Sequence, residues 1–106
     1  MTSKSPNTIE RPGFPPVHPG EILADELVAR NLSASQLARE LDVPANRMSE
    51  IVSGRRAVSA DTALRLSAYL GTSARFWLNL QTSYDLACAR RDRGDEIAQR
   101  IRPAAA

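Results

Sequence analysis

Two short helix-forming segments lie close together between residues 33 and 54, and their spacing constrains the fold more than any other feature. Ser33 is followed three residues later by Gln36, the capping-box pattern that begins a helix, and apolar side chains at helical spacing follow. After a turn of about three residues, Pro44 suits the start of a second helix and Gly54 suits the left-handed position that ends it. Two helices joined by such a short turn form a helix-turn-helix unit.

Helical periodicity also dominates the rest of the chain, and no strand pattern competes with it. The predicted helices cover residues 19–30, 34–41, 44–53, 60–70 and 74–91. Residues 92–94 are expected to break the fifth helix, which leaves open a short sixth helix before Pro103. Because the connecting loops are short, the expected fold class is an all-α bundle of five helices, or six.

The composition fits one small globular domain with mobile ends. The chain has 106 residues, of which 42% are hydrophobic and 25% charged. Residues 1–16 contain four of the seven prolines and show no apolar periodicity, which predicts a flexible N-terminal arm. We expect the folded domain over residues 17–91 and a C-terminal tail over residues 92–106. No apolar run nears the roughly 20 residues of a membrane span and the start lacks a secretion signal, so we expect a cytoplasmic protein without a membrane partner.

Few residues of this chain could carry catalysis or hold a metal. His18 is the sole histidine and Cys88 the sole cysteine, so the sequence offers neither a metal-ligand cluster nor a paired nucleophile and base. We therefore expect no enzyme activity, no cofactor, no metal and no small-molecule substrate. His18 is expected to act locally at the start of the first helix, and Cys88 to be a small buried side chain.

The second helix of the helix-turn-helix unit is short and keeps its polar side chains outside. Its apolar stripe consists of Met48, Ile51 and Val52. A helix of about nine residues is roughly 14 Å long, which fits a DNA major groove about 12 Å wide. Asn46 can make two hydrogen bonds to adenine, Arg47 can reach guanine or a phosphate, and Glu50 can accept from cytosine. These residues are candidates to read bases; the alternative is an ordinary solvated helix in a small bundle.

Residues beside this helix are candidates to contact the DNA backbone. Arg55 and Arg56 directly follow the helix and Gln36 lies at the start of the preceding one, so all three can contact phosphates. Charge is unevenly distributed: residues 17–42 carry two arginines against five carboxylates, and residues 43–75 carry five arginines against two carboxylates. The sequence therefore predicts a surface with two signs of charge rather than a uniformly basic one.

The fifth helix is too apolar to face only the core. Phe76 and Leu80 are expected in the core. The other large apolar side chains of its first half are Trp77, Leu78, Tyr84 and Leu86. Because these four cannot all face one way and aromatic residues are enriched at interfaces, we expect them to form a dimer interface. A two-fold dimer would match a palindromic DNA site.

The segment LSASQLARELDVPANRMSEIVSGRRAVSADTALRLSAYLGTS resembles the lambda-repressor-like, XRE-type helix-turn-helix domain. With the flanking HPGEIL and FWLNLQTSYDLACAR, the chain resembles the HigA antitoxins of bacterial type II toxin–antitoxin modules over residues 18–91. This resemblance implies a homodimer that binds a palindromic operator in double-stranded DNA and represses its own operon. It also implies a second partner, the mRNA-cleaving HigB toxin, which the antitoxin neutralises by direct binding.

The resemblance further implies which residues contact DNA. The base-reading positions of the family fall on Ala45, Asn46, Arg47 and Glu50, and its backbone-contacting loop falls on Arg55 and Arg56. Ala45 is a small side chain where related sequences often carry a longer polar or basic one. An operator read with fewer direct base contacts is therefore expected, although Ala45 can still contact a thymine methyl group.

Two other functions fit the same residues. A stand-alone repressor of phage or plasmid type would share the fold and the DNA binding but have no toxin partner. A protein-binding helical module without DNA affinity is supported by Ala45 and by the net charge of only +2.

Overall fold

The computed structural model describes residues 15–105, which form five α-helices and no β-strand. The helices are α1 (Pro19–Arg30), α2 (Ala34–Leu41), α3 (Ala45–Val52), α4 (Ala60–Leu70) and α5 (Ala74–Arg100). The predicted all-α fold class is confirmed. The predicted flexible arm lies outside the described residues, apart from residues 15 and 16, which precede α1 without regular structure.

The ends of α2 and α3 match the start and stop signals in the sequence. The Gln36 N–H donates to Ser33 Oγ at 3.1 Å and the Ser33 N–H donates to Gln36 Oε1 at 2.8 Å, so the predicted capping box is confirmed. Pro44 directly precedes α3. Gly54 follows α3 with a φ of +81°, a left-handed conformation that glycine adopts at low cost. The helix-turn-helix unit therefore forms where its sequence signals predict.

The start of α1 packs closely against the end of α3. His18 is the N-cap of α1: its Nδ1 accepts from the Gly20 N–H at 2.9 Å, and its own N–H donates to Glu21 Oε2 at 3.0 Å. Histidine here takes the capping-box role that serine or threonine usually has. A Cβ atom at Gly20 would overlap the carbonyl oxygen of Ile51. Glycine therefore lets α1 approach the backbone of α3 and fix its position.

A single hydrophobic core includes the apolar face of α3 and the first two turns of α5. The fully enclosed side chains include Leu23, Leu37, Met48, Ile51, Leu66 and Trp77. The Trp77 side chain is 0% exposed and its Nε1–H donates to Thr72 Oγ1 at 2.7 Å. The prediction that Trp77 anchors a dimer interface is therefore wrong, because its ring fills the core of the protomer.

The inward stripe of α5 differs by one position from the predicted stripe. Residues three and four positions after Trp77, namely Leu80 and Gln81, are also buried, as expected for one face of a helix. Leu80 is therefore in the core as predicted. Phe76 was expected there too, but 40% of it is exposed and its ring meets the Trp77 ring edge-on at 5.1 Å.

The fifth helix continues without interruption to Arg100, so the predicted break at residues 92–94 and the separate sixth helix are wrong. A glycine inside a helix destabilises it by only about 1 kcal/mol relative to alanine. Gly94 alone is therefore not enough to end the helix. Ion pairs one turn apart support this half of α5, including Arg93 with Glu96 at 2.8 Å. Although α5 has 27 residues, no helix in the described part of the chain is both long enough and apolar enough to cross a membrane.

Candidate nucleic-acid interface

The helix α3 presents the polar side chains of its N-terminal half to solvent, while its apolar face lies in the core. Ala45 and Asn46 are exposed. Arg47 and Glu50 are half-buried, with 29% of each side chain accessible. All four predicted base-reading residues therefore reach the surface of one short helix.

Two of these four side chains form ion pairs within the protein. Arg47 Nη1 lies 3.1 Å from Asp61 Oδ2, and Arg56 Nη2 lies 2.7 Å from Glu50 Oε1. Each pair is partly exposed, and exposed pairs contribute only about 0–1 kcal/mol to stability. The arginines can therefore exchange these carboxylates for other anions at little energetic cost. Sequence analysis missed both pairs, because Arg47 and Asp61 are 14 residues apart and follow no helical spacing.

Three arginines from different parts of the chain surround a shallow depression beside α3. They are Arg47 of α3, Arg56 of the following loop and Arg65 of α4. The depression is also lined by the exposed hydroxyl-bearing residue Ser59 and by the carboxylate of Asp61. Hydroxyl and guanidinium groups are common donors to DNA phosphates. The fold thus extends the basic surface beyond the two loop arginines that the sequence indicated.

Arg65, which no sequence pattern singled out, connects α4 to the C-terminal end of α2. Its Nε donates to Asp61 Oδ2 at 2.9 Å, one turn earlier in α4. Its Nη1 donates to the carbonyl oxygen of Leu41 at 2.8 Å, at the C-terminal end of α2. The hydrogen bond from Arg65, supported by the charges of Arg65 and Arg47, lowers the pKa of Asp61 below its ordinary value. The Asp61 carboxylate is therefore ionised at neutral pH.

The three predicted backbone-contacting residues are all exposed. The Oε1 atom of Gln36 accepts the capping-box hydrogen bond, which leaves its amide N–H groups to donate elsewhere. Arg55 Nε donates to Ser53 Oγ at 2.9 Å, and Arg56 is held by Glu50. The three side chains lie at the start of α2 and in the loop after α3, on either side of the predicted reading helix in the chain.

The loop that carries the two arginines is anchored to α5. Val58 is buried, and its N–H donates to Gln81 Oε1 at 2.8 Å. Gln81 is also buried, and its Nε2 donates to Asp85 Oδ1 at 2.9 Å. Leaving such a buried backbone N–H unpaired would cost about 1–3 kcal/mol. The glutamine therefore holds the loop in place, a role that no periodic pattern in the sequence signals.

His18 lies beside the same loop and contacts α5. Its ring meets the Tyr84 ring edge-on, with the ring centroids 4.8 Å apart. Burial lowers the pKa of His18, although the nearby Asp85 and Glu21 carboxylates and a hydrogen bond with the Arg56 backbone act in the opposite direction. A neutral ring is also what the N-cap needs, because only an unprotonated Nδ1 can accept the Gly20 N–H.

The chain is similar to known helix-turn-helix proteins and antitoxins. Residues 23–77 match the helix-turn-helix family. The chain is 51% identical to virulence-associated protein I of Dichelobacter nodosus, over 76% of this chain and 75% of that protein. It is 35% identical to antitoxin HigA-1 of Vibrio cholerae, over 83% of each. The solved structure of Pseudomonas aeruginosa antitoxin HigA with the higBA promoter superposes with a TM-score of 0.81 at 47% identity, covering 85% of this chain and 99% of that one. The chain belongs to the HigA family of helix-turn-helix antitoxins.

The similarity to HigA antitoxins extends beyond the helix-turn-helix domain. The general helix-turn-helix match ends at Trp77, near the start of α5. A similarity that covers 85% of the chain must extend beyond that match into α5, because only 22 residues precede the match. The HigA family is a DNA-binding one rather than a class of enzymes.

The surface of α5 retains three of the four residues predicted to form the dimer interface of this HigA-family protein. Leu78 and Tyr84 are half-buried, and Leu86 is 46% exposed. With Trp77 removed from the set, these three stay a prediction for the interface.

Proposed function

We propose that the protein binds operator DNA upstream of its own toxin–antitoxin operon, represses transcription of that operon and neutralises a HigB-type toxin by direct binding. The observation that carries the DNA-binding role is the position of α3. Its apolar face is fixed in the core, and its polar N-terminal half carries Arg47 and is exposed beside Arg56 and Arg65. The similarity to a HigA protein solved with its promoter supports the same role.

Sequence is read by the N-terminal half of α3 in the major groove. Asn46 makes two hydrogen bonds to an adenine, Arg47 donates to a guanine and Glu50 accepts from a cytosine. Ala45 contacts a thymine methyl group or leaves its base pair unread. Glu50 must partly exchange its ion pair with Arg56 for the contact to cytosine, and the partial exposure of that pair supports such an exchange. Arg47 pairs with Asp61 through Nη1 alone, which leaves its other N–H groups to donate to a guanine.

Position on the DNA is fixed by contacts to the phosphates on either side of the groove. Gln36 donates from the start of α2, while Arg55 and Arg56 donate from the loop after α3. Arg56 can turn from Glu50 to a phosphate, which leaves the Glu50 carboxylate available to a cytosine amino group. These contacts carry no sequence information, and they make binding depend on salt.

A homodimer presents two copies of α3 to the two halves of a palindromic operator. Dimers of this kind bind half-sites about 34–36 Å apart, one turn of the DNA helix. We place the two-fold interface on α5, with Leu78, Tyr84 and Leu86 as its apolar contacts. The exposure of Leu86 supports this, because 46% of this large apolar side chain is accessible to solvent in the single protomer.

Neutralisation requires that the protein bind the toxin as well as DNA. We place the toxin surface away from α3, because repression and neutralisation can then act together. Both the operator and the mRNA substrate of the toxin lie in the cytoplasm, so the antitoxin acts there. Toxin that co-purifies with the antitoxin even when α3 carries Asn46→Ala would support this arrangement, and loss of the toxin from that variant would contradict it.

The proposed function is tested by a gel shift with the DNA upstream of the reading frame and a shuffled duplex of the same length. We expect tighter binding to the upstream duplex, and binding to both duplexes should weaken as salt rises. Absence of binding to either duplex at low salt, where phosphate contacts are strongest, would contradict the DNA-binding role. Co-expression with the neighbouring toxin gene tests neutralisation: growth should be restored by the antitoxin.

A protein-binding module without DNA affinity is the second candidate. It is favoured by one observation, that Arg47 and Glu50 already pair with Asp61 and Arg56 within the protein. In that case these four side chains stabilise the surface and have no role in DNA contact. Failure of the gel shift together with retained toxin binding would support this second function.

A further inference from the structure

We propose that Asp61 is a positioning residue for Arg47 and thereby sets how strongly the protein discriminates between operator and random DNA. The inference rests on the proposed function, because it assumes that Arg47 donates to a base. Asp61 lies in the first turn of α4, outside the helix-turn-helix unit itself.

The Asp61 carboxylate is held from two sides. Its Oδ2 atom accepts from Arg47 Nη1 at 3.1 Å and from Arg65 Nε at 2.9 Å. Arg65 is itself fixed, because its Nη1 donates to the carbonyl oxygens of Leu41 at 2.8 Å and Asp42 at 3.3 Å. A continuous set of hydrogen bonds thus joins the C-terminal end of α2 to the guanidinium group of Arg47.

This arrangement restrains a side chain that would otherwise be mobile. Arginine loses much rotamer freedom when it is ordered, so a guanidinium group already held near its bound position loses less when it contacts DNA. Asp61 accepts from only one of the five N–H groups of Arg47. The remaining N–H groups can still form the paired donor contact that guanine O6 and N7 require.

The negative charge of Asp61 also disfavours contacts between Arg47 and DNA phosphates. Arg47 can donate to any phosphate, and such a contact would bind all sequences alike. An ionised carboxylate beside the guanidinium group competes with a phosphate for Arg47 and repels a phosphate that comes close. A guanine edge carries no net charge and meets less of this repulsion.

A purely structural role explains Asp61 less well than the positioning of Arg47 does. The Asp61 side chain is 59% exposed, and pairs this exposed contribute little to stability. A carboxylate in the first turn of a helix interacts favourably with the helix dipole, but that effect does not depend on Arg47. The two roles therefore predict different results when Arg47 is removed.

The experiment measures binding of the full chain to the upstream duplex and to a shuffled duplex at fixed salt, for four variants and the unmodified protein. The variants are Asp61→Asn, Arg47→Ala, the double variant, and Glu26→Gln as the matched control. Glu26 forms an ion pair of the same kind with Arg30 at 2.9 Å, entirely within α1. Thermal unfolding followed by circular dichroism checks that each variant is folded.

We expect Asp61→Asn to bind the shuffled duplex more tightly and to lose about fivefold or more of its discrimination between the two duplexes, the lower end of what a guanine contact supplies. In the Arg47→Ala background the same substitution should leave discrimination unchanged. If Glu26→Gln shifts binding and discrimination as much as Asp61→Asn does, the effect is one of total charge and the inference is wrong.

The same variants separate failure of the inference from failure of the proposed function. If Arg47→Ala lowers discrimination and Asp61→Asn does not, Arg47 reads a base without help from Asp61, and only the inference is overturned. If Arg47→Ala leaves discrimination unchanged, the base-reading role of Arg47 is wrong, and the role of Asp61 is overturned with it.

Discussion

At the scale of single residues, His18 shows how the chemistry of one side chain can cap a helix. The sequence indicated a histidine at the start of the first helix, and the structure makes it the N-cap of α1. What the sequence could not show is that Tyr84, 66 positions later, packs against the ring. Burial of the ring lowers the pKa of His18 and so favours the neutral form that accepts the cap hydrogen bond.

We predict that the free energy of unfolding falls as pH is lowered below about 6.5, through the folded pKa of His18. Burial lowers the pKa of His18 in the folded protein below its ordinary value of 6.5, so the unfolded chain binds more protons between the two values. The contribution of His18 is therefore fully present above pH 6.5 and is lost as pH falls through the folded pKa. Urea unfolding at a series of pH values measures this slope.

The matched control for this prediction is His18→Asn. Asparagine can accept the Gly20 N–H at the N-cap but does not titrate. Its free energy of unfolding should be nearly flat over the same pH range, even if it is lower throughout because the contact with Tyr84 is lost. An equal slope in both proteins would show that other groups cause the pH dependence.

The base-reading residues illustrate what sequence can and cannot predict at this scale. The exposure of Asn46 follows from the apolar spacing of α3 and is confirmed. The ion pair between Arg47 and Asp61 could not be predicted, because it depends on how the folded chain brings the first turn of α4 beside Arg47. Local periodicity determines which face of a helix points outward, whereas tertiary packing determines what that face meets.

At the scale of secondary structure elements, two glycines in helices have opposite roles. Gly20 lets α1 approach the backbone of α3, whereas the nearest atom to a Cβ at Gly94 would be the Cβ of Arg90 at an ordinary 3.8 Å. The sequence predicted a helix break that included Gly94 and indicated no role for Gly20. Only the packing of α1 on α3 reveals which glycine the fold requires.

We predict that Gly20→Ala destabilises the protein by about 1–3 kcal/mol, as overpacking does, because its Cβ would overlap the Ile51 carbonyl oxygen. Gly94→Ala is the control and should stabilise α5 by up to about 1 kcal/mol, because alanine is the better helix former. Urea unfolding and the helical circular dichroism signal measure both effects. A Gly20→Ala variant as stable as the unmodified protein would contradict the close contact between α1 and α3.

The fifth helix marks where sequence-based prediction of elements failed. Its start at Ala74, after the capping residue Ser73, agrees with the prediction. Its inward face was misplaced by one residue because the helix has large apolar side chains on several sides, so periodicity alone could not select the stripe around Trp77. Its end was predicted too early, because a single glycine and a run of charges do not end a helix that is supported by ion pairs one turn apart, such as Arg93 with Glu96.

At the scale of the whole molecule, α5 is much longer than the bundle needs. A helix of 27 residues is about 40 Å long, yet its buried residues all lie within the first eight positions. The later turns expose Leu86 at 46% and Ile97 at 49%. Such a helix has apolar surface available for a second copy of the chain, in line with the proposed dimer.

We predict that Leu86→Lys converts the dimer to a monomer while the protomer remains folded. Operator affinity should then fall about a hundredfold or more, because two linked half-site contacts become one. Leu64→Lys is the control: Leu64 is 64% exposed on α4, outside the proposed interface. Sedimentation velocity measures the oligomeric state, and a dimeric Leu86→Lys variant would contradict its place in the interface.

The central claim, that α3 reads the operator, is tested most directly by comparing Asn46→Ala with Arg55→Ala on the upstream and shuffled duplexes over a range of salt concentrations. Asn46→Ala should weaken operator binding by roughly 1–3 kcal/mol and leave binding to the shuffled duplex nearly unchanged. Arg55→Ala should weaken binding to both duplexes and lower the salt slope by about one. If Asn46→Ala instead weakens binding to both duplexes equally, α3 does not read the sequence through Asn46 and the claim is contradicted.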